Sequence, residues 1–123
     1  MQTALCDMLG ISIPIVQAPM GGAVGPQLAA AVSNAGGLGT LSLSWHSNDE
    51  VRDAIRQTKA LTAKPFAVNL ILEYPQAERL EVCSQERVPV ISFFWDVDAG
   101  LIARAKAGGA KVMQTIGSGA EAK

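Results

Sequence analysis

Five short apolar runs recur along the chain at nearly even spacing, each bounded by Gly, Pro or polar residues. They occupy residues 13–20, 38–43, 66–72, 88–94 and 111–116. Runs of this length, rich in Val, Ile, Leu and Phe, read as buried strands. Counted from Ile15, Leu38, Phe66, Pro89 and Lys111, the strand starts lie 23, 28, 23 and 22 residues apart. Each interval holds one helix, which makes the strands parallel and their crossovers right-handed.

The intervals carry helix punctuation. Pro26 suits a first helical position, Ala29-Ala30-Ala31 favours continuation, and Gly36-Gly37 ends the segment. Ser47 and Glu50 have capping-box spacing, and Val51, Ile55, Thr58 and Leu61 form the expected buried stripe of the next helix. Pro75 opens a third, with Leu80 and Cys83 inward, and Asp98 caps a fourth over residues 99–107 that Gly108-Gly109 stops.

Two architectures share this beat: an open, doubly wound sheet, and a (β/α)8 barrel, which takes roughly 250 residues. After the fifth run only residues 117–123 remain, too few for the helix that would cover the edge strand of a finished open sheet. The expected fold is therefore α/β of TIM-barrel type: a truncated half-barrel of about five parallel strands and four helices. Residues 1–123 then form the N-terminal part of an incomplete barrel domain.

Composition excludes several function classes. With 10 basic and 11 acidic residues, the formal charge is −1, which offers no long-range attraction for nucleic acid or anionic lipid. No apolar run approaches the ~18 residues of a spanning helix, and no basic segment precedes an apolar stretch at the N-terminus. Cys6 and Cys83 form no CxxC, so reduced thiols and a cytoplasmic location are expected.

In either architecture ligands gather at the carboxyl ends of the strands. Ala18, Pro19, Met20, Gly21 and Gly22 follow the first run: Pro19 removes an amide donor, the glycines admit a flat ligand, and Met20 offers a polarizable cover. Taken alone, the same segment reads as a tight turn with a core methionine. Asn69 interrupts an apolar strand and must find partners, either neighbouring backbone or a ligand edge; Gln114 obeys the same logic. Trp45 and Trp95 stand at strand ends, where they line a pocket or cover the barrel mouth. His46, the sole histidine, has no metal-ligand neighbours at suitable spacing and reads as a loop residue. GxSxG is absent, which disfavours acyl-transfer hydrolysis, and the glycines of residues 36–39 precede a strand rather than follow one, unlike a dinucleotide loop.

Pro14-Ile15-Val16-Gln17-Ala18-Pro19-Met20-Gly21-Gly22, followed by residues 28–39, resembles the start of the nitronate monooxygenase family, also called 2-nitropropane dioxygenases. Residues 64–70 and 107–112 resemble that family's third strand and its approach to the fifth. The resemblance implies an FMN-dependent (β/α)8 barrel that oxidises small-molecule nitronates with O2 to a carbonyl compound and nitrite, without a metal. It implies that Ala18 to Gly22 lie against the isoalloxazine and that Asn69 hydrogen-bonds the flavin. The family's catalytic His follows a glycine-rich segment beyond strand five, so no residue of this chain inherits that role, His46 included. It further implies that the isolated chain is inactive, with weak or absent FMN binding. A barrel arc exposes two strand edges, so the chain is expected to be aggregation-prone, to assemble through those edges with another copy or fragment, or to be part of a larger protein. Type II enoyl-acyl-carrier-protein reductases share these motifs and give the alternative reading; a non-catalytic assembly module without cofactor is the third.

Overall fold

The computed structural model describes residues 1–123. Its elements are α1 (Ala4–Leu9), α2 (Pro26–Asn34), β1 (Gly39–Ser42), α3 (Asn48–Leu61), β2 (Phe66–Ile71), α4 (Ala77–Gln85), β3 (Val90–Phe94), α5 (Ala99–Ala107) and β4 (Lys111–Gln114). The four strands form one sheet in the order β1-β2-β3-β4, every neighbouring pair parallel. A doubly wound sheet reverses its strand order at a switch point. This one advances monotonically, so right-handed crossovers put α3, α4 and α5 on the same face, and the sheet is an arc of a barrel-type α/β fold. No helix is long and apolar enough to cross a membrane.

The ladder holds four strands where the sequence suggests five. Residues 13–20 meet the sheet only through one parallel bridge, Val16 with Leu38. Leu38 N donates to Ile15 O, and Gln17 N donates to Leu38 O, each at 2.9 Å. The next bond in that register would run from the amide of residue 19 to Thr40 O, but Pro19 has no N–H. The Gln17 side chain takes its place, Nε2 donating to Thr40 O at 3.3 Å. A fifth strand thus becomes a single bridge with a side-chain graft.

Strand alternation divides the core in two. Outward residues Leu41, Val68, Leu70, Ile91 and Phe93 pack beneath the helices with Val51, Ile55, Leu80 and Cys83. On the opposite face Leu38, Ala67 and Val90 pack with Cys6, Leu9 and Ile11. The helix α1 that carries Cys6 and Leu9 is not announced by the sequence. At 6 residues it is too short for periodicity, and it is held by Thr3 Oγ1 accepting from Cys6 N and by Gly10 at φ +71°.

The other helices follow their punctuation closely. Ser47 and Glu50 complete both arms of the capping box, and Asp98 Oδ1 accepts from Leu101 N at 2.9 Å. The buried stripe of α3 runs Val51, Ile55, Thr58 and on to Thr62, leaving Leu61 exposed, because a 3.6-residue period reaches 62 rather than 61. Pro75 stands just before α4, with Gln76 at its cap position; buried Gln76 Nε2 donates to Ile71 O and Ser44 O, tying two loops together. Gly39 allows α2 to sit on β1: a Cβ there would lie 1.9 Å from Ala29 O.

Candidate active-site cavity

The inward residues change character along the strands. Near the amino ends they are apolar, Leu38, Ala67 and Val90. Toward the carboxyl ends they become Thr40 and Ser42 on β1, Asn69 on β2, Ser92 on β3, and Met113 with Thr115 on and just after β4. Ser42, Asn69, Ser92 and Met113 share one register row across the sheet. These side chains, with Gln17, Ala18, Pro19, Gly21, Trp45 and Phe94, line a cavity of about 420 Å³.

Asn69 is 2 % exposed. Its Nδ2 donates to Ser92 O and Ser92 Oγ, each at 3.2 Å. A carbonyl oxygen can only accept, so the amide orientation is set by that contact. Oδ1 is left with no protein donor, an acceptor at the cavity wall. Two other polar atoms of the lining, Gln17 Oε1 and Thr40 Oγ1, are fully buried without partners. Such orphans cost on the order of 1–3 kcal/mol each unless a ligand or water satisfies them. A molecule bearing N–H and C=O groups on a flat ring edge would satisfy them.

The walls suit a planar ring. A Cβ on Gly21 would lie 3.1 Å from the Trp45 ring, so the backbone of the first segment passes close over the indole. Trp45 meets Tyr74 edge-on with centroids 6.0 Å apart, and Phe94 stacks with Trp95 at 5.3 Å and 28°. Gly22, at φ +75°, makes the turn that follows. No lining residue carries a titratable side chain. The cavity can bind and orient, but supplies no acid or base of its own.

The structure brings together Ala18, Pro19, Gly21 and Asn69 from the sequence-based set. Met20 and Gly22 lie on the same segment without lining the cavity, and Met20 is exposed. Gln114 does not line it either. Met113 and Thr115 point inward, so Gln114 between them points outward, where its amide engages the carbonyls of Phe93, Asp96 and Thr115. Sequence reasoning missed Gln17, Thr40 and Ser92. Alternation counted from Asn69 could have found Thr40 and Ser92; Gln17 depends on the missing Pro19 donor. His46 lies in the loop after β1, its carbonyl accepting from Arg79 Nε at 2.7 Å, and Trp95 stays outside the lining. Of the two buried cysteines, Cys83 has its thiol pushed up to about 12 by burial in the helix-side core, far from any role as a nucleophile.

A singly wound parallel sheet with a ligand-sized cavity at its carboxyl ends defines a barrel-type α/β protein of the kind that carries its chemistry on strand-end loops. The sequence profile of the nitronate monooxygenase family matches residues 2–78, and the chain belongs to that family. A nitronate monooxygenase of Paraburkholderia phytofirmans is 53% identical over 72 residues, covering 58% of this chain and 20% of that protein. A (3aS,4S,5R,7aS)-5-hydroxy-7a-methyl-1-oxo-octahydro-1H-indene-4-carboxyl-CoA dehydrogenase of Rhodococcus jostii is 40% identical over 124 residues, covering 100% of this chain and 35% of that protein. Among solved structures, FabK from Thermotoga maritima superposes with a TM-score of 0.94 at 39% identity, over 99% of this chain and 40% of that one. Nitroalkane oxidase from Streptomyces ansochromogenes superposes at 0.84 with 32% identity, over 98% and 44%. The chain therefore spans about a third of the dehydrogenase and less than half of either solved structure. Its relatives are oxidoreductases whose named reactions differ.

Proposed function

We propose that the cavity is part of an FMN site, and that the protein containing this chain oxidises alkyl nitronates with O2 to a carbonyl compound and nitrite. The observation that carries the reading is Asn69: a buried amide whose nitrogen is engaged by Ser92 and whose Oδ1 remains an acceptor at the wall of a flat-sided cavity. Asn69 Oδ1 would accept from the ring N–H of the flavin. Gln17 and Thr40 offer further polar contacts to its edge, and Gly21 with Ala18 and Pro19 would support one ring face. Bound FMN supplies reversible electron transfer, which no side chain in this cavity can provide. The protein's share is to hold the ring in register and exclude water from one side of it.

Membership of the nitronate monooxygenase family supports the nitronate reading. The 39% identity to FabK favours a second one, flavin-dependent enoyl reduction with a nicotinamide donor. Turnover of propionate-3-nitronate without any nicotinamide separates them. Nitrite release under those conditions supports nitronate oxidation; activity confined to an enoyl thioester plus nicotinamide replaces it. A protein containing this chain that retains no FMN once free flavin has been removed refutes both.

A further inference from the structure

Gln114 reaches away from the cavity and toward the turn that follows β3. Its Nε2 lies 2.9 Å from Thr115 O, 3.0 Å from Asp96 O and 3.5 Å from Phe93 O. All three neighbours are carbonyl oxygens, so the amide must present its nitrogen to them. Phe93 and Asp96 bracket a turn in which Trp95 and Asp96 stand consecutively at φ +55° and +44°. Two successive non-glycine residues in the left-handed region persist only where the surroundings over-determine them. Within the turn, Asp96 Oδ1 accepts from Val97 N at 2.8 Å, a contact that does not connect the turn to the sheet. Backbone amides of Thr115 and Leu72 bind the sheet as far as Phe93 O and Phe94 O, and Gln114 extends the connection to Asp96 O from the neighbouring strand. Phe94, which lines the cavity, is fixed by the ladder itself, its carbonyl accepting from Leu72 N at 2.9 Å; the residue held through the turn is Trp95, stacked upon it.

We propose that Gln114 is a positioning residue: by donating from β4 to Asp96 O it holds the turn after β3 in its left-handed form and so sets Trp95 against the back of Phe94, the aromatic residue of β3 that lines the cavity. The proposal rests on the flavin reading only for the identity of the ligand that meets this wall. It also gives Gln114 a role other than direct contact with that ligand.

These 123 residues hold two tryptophans, so in a Trp45→Phe version of this chain Trp95 is the sole indole reporter. Against that reference, Gln114→Met keeps side-chain length and removes the donor. Acrylamide quenching of Trp95 should rise about twofold, and the FMN dissociation constant about tenfold, the loss expected for hydrogen bonds acting through the wall. Adding Asp96→Gly, which accepts φ +44° without strain, should restore both. Unchanged Trp95 quenching in Gln114→Met overturns the proposal. So does weakened FMN binding that Asp96→Gly fails to rescue, since that marks a direct contact. Should Gln114→Met not fold by circular dichroism, Gln114→Asn, one carbon too short to span the turn, is read in the same way. Because Trp45 lines the cavity, FMN affinity is compared with Trp45 retained, in the protein containing this chain; if that protein binds no FMN the flavin reading fails, while the quenching arm still decides whether Gln114 holds the turn.

Discussion

Replacing Asn69 by alanine separates the two tasks the structure gives this residue. The change deletes two hydrogen bonds of 3.2 Å to Ser92 from a side chain 2 % exposed. Each such bond contributes about 0.5–1.5 kcal/mol. Ser92 is only half-buried and water can reach its freed oxygens, while the deleted volume opens into the cavity instead of leaving a sealed void. The loss should therefore sit low in that range, about 1–1.5 kcal/mol in total. For a domain of this size that lowers the melting temperature by roughly 4–6 °C. Flavin binding loses one neutral acceptor, which weakens it roughly two- to tenfold. Thermal unfolding followed by far-UV circular dichroism and an FMN titration on the same preparation measure both. Unchanged FMN affinity alongside a lowered melting temperature would reduce Asn69 to a clamp between β2 and β3, and the argument from its free Oδ1 would fail.

Thr40→Val removes a buried, partnerless hydroxyl at almost constant shape and should leave the ligand-free protein equally or more stable while weakening FMN binding; a loss above about 1 kcal/mol without ligand would mean that the hydroxyl is already satisfied. Gly39→Ala drives a Cβ into the backbone of Ala29 and should destabilise by about 3 kcal/mol or more, or prevent folding; near-wild-type stability would show that α2 can lift from β1 freely. Glu86 accepts from Arg56 and Arg52, which hold its carboxyl below the usual range. Its stabilisation is therefore complete above the ordinary carboxylate pKa and is lost as pH falls through the lowered one. The gap between wild type and Glu86→Gln should shrink on acidification and with salt, and a gap growing on acidification would contradict the assignment. Because Cys83 ionises only near 12, a thiol reagent at neutral pH should modify it only as fast as the protein unfolds; rapid labelling of the native state would refute its burial.

The beat of apolar runs and caps was enough to determine parallel strands, intervening helices and the end of the sheet where ligands collect. Those features depend on local chemistry: Ser47 and Glu50, Pro26 and Asp98 act within a few residues of themselves. Asn69 was legible as a site candidate for the same reason, an amide in an apolar strand needing partners wherever the strand lies. Tertiary structure alone decided the rest. That residues 13–20 form one bridge depends on which carbonyl Pro19 would have faced, and that requires the register against Leu38. The singly wound order that separates a barrel arc from a doubly wound sheet is a fact about neighbours in space, which the spacing of strands leaves open. Gln114 and Thr115 look equivalent as polar residues at a strand end. Only the pleat, anchored by pairing with β3, sends Thr115 into the cavity and Gln114 to the turn behind it, because successive side chains leave a strand on opposite faces.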